Sequence, residues 1–280
     1  MMNKTTFLLV LSRSAGLLPS AKAQGPQLPS CGNISILADS IIDGRQFQKG
    51  IYQLNTFGIS CEEVVGLNGI LGVVLGLRKE DSLPAPWSSL TGAVGAPKFS
   101  TSADIGFRLQ KIEELPAVSP VPVQQLAGIT SSGNAGSSAI LKIGASSDLG
   151  LTSKQNFVST DSIKISAAII PQSKDEGQPA DIFVIAEVMA ATPFYMRLSR
   201  LGEWKLWNGT ADELLPAHTV SALENELRLQ IYSGKLDAGF KLAFYLGYST
   251  ISSGKEKLIH YKGFHSLSLL NNCRQNIEAS

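Results

Sequence analysis

Alternating apolar and polar residues recur in short runs from residue 137 onward, and no other feature restricts the fold of this chain so tightly. The strongest run spans 177–188. It places Ile182, Val184, Ala186 and Val188 on one face, and Asp181, Phe183, Ile185 and Glu187 on the other. Apolar residues on both faces predict a central strand covered on both sides. Alternation at 162–170 sets Ile163, Ile165, Ala167 and Ile169 together. At 226–232 it sets Leu227, Leu229 and Ile231 against Arg228 and Gln230, and at 240–248 it aligns Phe240, Leu242, Phe244 and Leu246. Further strand signals lie at 139–143, 156–159, 194–198, 203–207, 257–261 and 266–270, with Ser252, Ser253 and Gly254 as a turn. Many short strands without a strong helix predict an antiparallel β-sandwich, Ig-like or jelly-roll-like, over 137–270.

The first half reads differently. A strand at 47–57 is followed by a helix from Ser60 to about Leu77. Ser60 and Glu63 form a capping box, and Arg78 and Lys79 suit the negative C-terminal end. Gly66, Gly69, Gly72 and Gly76 lie inside that helix, so either another backbone approaches it closely or it breaks near Gly69 or Gly72. Gly72 and Gly76 match the small-residue spacing of membrane helices. The apolar run is nevertheless shorter than the roughly 20 residues a span needs, so no transmembrane segment is expected in the mature chain. Pro84 and Pro86 require an extended turn before Trp87, residues 92–97 read as a loop, and 106–112 closes the unit as a strand with Phe107 and Leu109 on one side. The whole is mainly β: a small α/β module over 24–112, a Pro/Ser/Gly linker over 113–136, the sandwich, and a polar tail at 271–280.

The N-terminus carries export features. Lys4 precedes an apolar run from Phe7 to Leu11 that resumes at Ala15 after Ser12, Arg13 and Ser14. Ala21, Lys22 and Ala23 form an A-x-A site, so residues 1–23 read as a signal peptide and Gln24 as the mature start. The protein is expected in a secreted, periplasmic or cell-surface location. Three cysteines are present, and an oxidising compartment would let two pair. Cys31 and Cys61 share the small module and are the expected disulfide, with Cys273 left over in the tail. The rival reading is lipidation at Cys31, after Leu28, Pro29 and Ser30.

The formal net charge of +1, without a long run of either sign, argues against a nucleic-acid partner. Candidate chemistry is sparse. His218, His260 and His265 are the only histidines. The last two could approach across a hairpin, but a zinc site would need further ligands, so no metal is expected. No nucleophile elbow, zinc-protease motif or P-loop occurs, and no cofactor is expected. Cys61 at a helix start would be a stabilised thiolate, which makes a Cys/His hydrolase with His260 or His265 one alternative. Asp175, Glu176 and Asp181 cluster ahead of the central strand but lack an EF-hand pattern. Trp204 and Trp207, with Tyr195 and Tyr232 as candidate neighbours, face opposite sides of a regular strand. One is then a core residue and the other a candidate ring for stacking on a sugar or anchoring a partner.

Two resemblances add to this. DSIKI at 161–165, GQPADI at 177–182, GEW at 202–204, WNG at 207–209, IYSG at 231–234 and LGY at 246–248 together resemble a β-sandwich module of secreted and surface bacterial proteins, over about residues 155–270. GIYQL at 50–54, ISC at 59–61, LPAPW at 83–87 and GAPKF at 95–99 resemble a small bacterial module with a cysteine at a helix start. Both resemblances imply export, and neither implies a catalytic residue. The expectation is an exported, non-catalytic structural or recognition protein, with no catalytic residues of its own; binding of a surface glycan or protein through Trp204 or Trp207 is the alternative.

Overall fold

The computed structural model describes residues 28–270, except 67, 92–96, 103, 117, 119–124, 128, 131–136, 149–151, 191, 211–212, 237–240 and 251–259. The expected signal peptide, most of the 92–97 loop, the turn at Ser252 to Gly254, and the 271–280 tail with Cys273 lie outside the described residues. The chain is mainly β and its sheets are antiparallel, apart from one parallel pairing.

The first half holds β1 (Ser30–Ile36), β2 (Ser40–Ile42), β3 (Arg45–Phe47), β4 (Gly50–Phe57), α1 (Cys61–Val65), α2 (Ile70–Leu75), β5 (Ser88–Thr91), β6 (Pro97–Ser100) and β7 (Gly106–Glu113). Five of these strands form a sheet ordered β1-β4-β7-β6-β5, while β2 and β3 form a separate hairpin. Asp43 and Gly44 connect β2 to β3 with φ of 47° and 72°, the left-handed values a two-residue hairpin turn requires. Along β4, burial alternates strictly, so Tyr52 and Leu54 point into the core. Opposite them lie Val64 of α1 and Leu71, Val74 and Leu75 of α2. Phe47, Phe99 and Phe107 stack within this core, with Phe99 and Phe107 ring centroids 5.1 Å apart. Trp87 packs on Phe107 at 5.8 Å.

The stretch from Ser60 to Leu77 is two short helices, which bears out the alternative of a break near Gly69. Ser60 accepts from the Glu63 N–H and Glu63 returns a bond to the Ser60 N–H, so the capping box starts α1 as expected. Gly66 then leaves helical geometry, and Gly69 starts α2. The break falls at Gly66 to Gly69, where glycine, a poor residue for a helix interior, occupies both caps.

The second half holds β8 (Gln125–Ala127), β9 (Ile129–Thr130), β10 (Ile140–Ser146), β11 (Asn156–Val158), β12 (Ile163–Ile170), β13 (Ala180–Val188), β14 (Phe194–Leu198), β15 (Trp204–Trp207), β16 (His218–Val220), β17 (Leu227–Gly234), β18 (Lys241–Thr250) and β19 (His260–Leu270). β8 and β9 fall within the stretch read as a linker. A four-stranded sheet runs β17-β12-β10-β8. An eight-stranded, curled sheet runs β11-β19-β18-β13-β14-β15, with β16 on β13 and β9 on β19. β13 is central, as its pattern predicts: β18 lines one edge, while β16 and β14 share the other. Its Ile182, Val184 and Ala186 meet Ile163, Ile165, Ala167 and Ile169 of β12 in one core between the two sheets. Each of the isoleucines and the valine, fully buried, contributes about 1.5–3 kcal/mol. On the opposite face, Phe183 is buried against Leu214, with Ile185 and Trp207 packed around them.

The two halves touch. Arg78 Nη2 donates to Gln178 Oε1 at 2.9 Å, Leu201 joins the core of the first half, and β16 contacts both β1 and α2. The turn between β14 and β15 thus seats against the disulfide-bearing module.

Candidate functional site

Cys31 opens β1 and Cys61 opens α1, and their sulfurs are bonded, with Cα atoms 5.5 Å apart. This is the expected pair. It also corrects the nucleophile alternative, because a bonded sulfur offers no thiolate. The same bond leaves no free thiol for lipidation at Cys31.

The histidine alternative changes as well. His260 and His265 sit in one continuous strand, β19, and not on two arms of a hairpin. Tyr261, Lys262 and Gly263 pair opposite Gly247, Leu246 and Tyr245, and the register shifts between Gly263 and Ser266 without a hairpin turn. His218 is held between the halves. Its ring donates to the Ser35 carbonyl, and its Nδ1 is buried without a hydrogen-bond partner. Burial pushes its pKa down to about 4, and nearby Arg200 acts in the same direction.

The three carboxylates at the approach to β13 do not converge. Asp175 is buried and accepts from Tyr248 Oη at 2.8 Å. Asp181 accepts from the Thr219 hydroxyl at 2.7 Å and lies 3.7 Å from Arg200 Nη2. Glu176 is exposed. Among the described residues, no group of three or more His, Cys, Asp or Glu side chains could hold a metal ion. None of the described helices is long and apolar enough to cross a membrane.

The two tryptophans of β15 fall on opposite faces, as strand geometry requires. Trp204 turns inward, its ring 6.0 Å from Phe244, and packs against the main core. Trp207 turns outward, where its ring meets Tyr195 edge-on at 6.0 Å and 72°. The indole N–H donates to the Thr210 carbonyl at 2.9 Å. That turn is itself held by Asn208, whose side-chain oxygen accepts from the Thr210 N–H at 2.9 Å. Tyr232, the other candidate neighbour, is on β17 and packs against the core between the sheets.

Register brings further groups to the Trp207 face. Glu187 pairs with Tyr195, Tyr195 with Trp207, and Ile185 with both Arg197 and Tyr245. Directly paired residues share a face. Glu187, Tyr195 and Trp207 therefore form one row, and Tyr245, Arg197 and Lys205 lie in the next row on the same face. Tyr245 Oη donates to Glu187 Oε2 at 2.6 Å. Burial first, and then the Glu187 carboxylate, push the Tyr245 pKa upward, so the hydroxyl stays protonated and the carboxylate stays fixed. Sequence reasoning singled out Trp207 and Tyr195 but missed Glu187 and Tyr245. The signal lay in strand pairing, which places residues 58 positions apart within hydrogen-bond reach.

Such a surface offers ring edges and faces for C–H contacts, a positioned carboxylate to accept hydroxyl hydrogens, and cations at its margin. No family model matches the chain, and no curated protein matches it.

Proposed function

We propose that the chain is an exported, non-catalytic recognition protein. In this reading the second half is a β-sandwich, and the outer face of its eight-stranded sheet binds a surface glycan through Trp207 and Tyr195. The observation that carries it is the edge-on pair of exposed Tyr195 and partly buried Trp207 beside the Glu187–Tyr245 bond, on the outer face of the sheet. Stacking uses the Trp207 ring, and Glu187 accepts from sugar hydroxyls. The disulfide supports export, because such bonds persist in oxidising compartments.

The test is a glycan array probed with the full mature chain, alongside Trp207→Ala and Glu187→Gln. Each variant is expected to stay folded and to lose binding by about tenfold or more, as anchors of a recognition surface do, with Trp207→Ala also lowering the melting temperature because its ring covers Phe183 and Leu214. Trp204→Ala serves as the contrast, lowering stability and leaving the binding surface in place. Failure of the wild-type chain to bind any glycan would sink the reading.

A further inference from the structure

We propose that the joint between the two halves is an acid-sensitive latch, closed by neutral His218 beside buried Arg200 and loosened when His218 takes up a proton. The inference is independent of the glycan reading, since it uses none of Trp207, Tyr195, Tyr245 or Glu187.

β16 is the element on which the joint turns. It pairs with the start of β13 and contacts β1 and α2 of the first half. Its His218 donates to the Ser35 carbonyl of β1, which leaves Nδ1 as the site for an added proton; that atom is buried and has no partner. Arg200 enters from the β14–β15 turn and is nine-tenths buried. Its Nη2 donates to the Thr219 hydroxyl at 2.9 Å, and its Nε has no partner. The guanidinium lies against the backbone of α2, where a Cβ on Gly72 would come within 2.6 Å of Nη2.

The charged group acting on His218 is Arg200, while Asp181 pairs with Thr219, the next residue along β16, on the opposite face of the strand. The segments β1 and α2 carry none, and the only other residues of β16 are Thr219 and Val220. Asp181 is already engaged by the Thr219 hydroxyl and lies beside Arg200. A second cation at Nδ1 would be buried against a first, with no carboxylate of its own.

The sign follows from linkage. An opened joint returns His218 to an ordinary imidazole pKa near 6.5, whereas the closed joint holds it at about 4. As pH falls through that window the opened form takes up the proton first, so acid favours opening. The bias grows to on the order of a hundredfold at the acid end and then stays constant.

Hydrogen–deuterium exchange of the full disulfide-bonded chain, corrected for intrinsic rates, tests this between pH 7 and 4. Peptides covering β1, α2 and residues 199–203 are expected to gain exchange on the order of a hundredfold across that range, ahead of β12 and β13. His218→Gln, which keeps a donor toward Ser35 and cannot titrate there, is expected to flatten the response. An identical pH profile in His218→Gln would overturn the latch. Should that variant not fold, an NMR titration of wild-type His218 decides: a pKa well below 6 supports the latch, and one at or above 6 overturns it.

Discussion

At the scale of single residues, the core between the sheets depends on one buried hydroxyl. Tyr248 Oη donates to Asp175 and accepts from the Gln172 N–H at 3.1 Å, while Gln172 Nε2 donates to Ser137. The chain entering β13 is thereby fixed to β18. Tyr248→Phe is expected to lower stability by about 1–3 kcal/mol, read from urea midpoints, because it strips partners from two buried groups. Gly106 makes a steric counterpart. A Cβ there would run into the Phe99 carbonyl and lie 2.6 Å from the Phe57 ring. Backbone cannot step aside as a side-chain tip can, so Gly106→Ala is expected to cost about 2–4 kcal/mol in the same measurement. Neither role was legible in the sequence. Asp175 looked like one of three loop carboxylates, because nothing local announces a partner 73 positions away.

At the scale of elements, legibility followed period and length. Strands such as β12, β13 and β17 alternate over eight or more residues, and their inward faces were readable before any coordinates. β1, β5 and β6 were not: they are short or carry Gly, Asn, Ser and Pro, and their pairing within the sheet overrides weak local preference. The β2–β3 hairpin was missed despite Asp43-Gly44, a strong two-residue turn signal. The expected His260/His265 hairpin failed for the opposite reason, Tyr261 to Phe264 read as a turn where one strand continues. The element with the sharpest prediction is α1. Its capping box stands at the disulfide, and Ser60→Ala is expected to cost about 1 kcal/mol. Replacing Cys31 and Cys61 together by Ser is expected to cost about 3–4 kcal/mol, seen as a lowered Tm, since the bond closes a loop of 30 positions. The bond also anchors the joint. Gly32 beside Cys31 packs on Leu201, and Glu62 beside Cys61 faces Arg197.

For the whole molecule, the contacts between halves predict shared cooperativity. Trp87 reports on the first core, and Trp204 on the core between the sheets. At neutral pH, variants retaining only one of these indoles are expected to give coincident denaturation curves; midpoints separated beyond error would mean the halves unfold separately. The overall β character and the disulfide were readable from sequence. The seating of one half on the other was not, because Arg200, Leu201 and His218 carry no pattern that distinguishes a joint from an exposed loop.

One pairing bears on how the molecule comes into being. β19 lies against β18, runs parallel to β11, and also receives β9, so three strands spaced across more than a hundred positions wait on it. A nascent chain emerging N-terminus first cannot complete the eight-stranded sheet until residue 270 is free. Assembly of that sheet then waits for β19 to emerge and carries a large loop-closure cost, which puts folding on the slow side. A chain halted between β18 and β19 would display three unfinished edges at once.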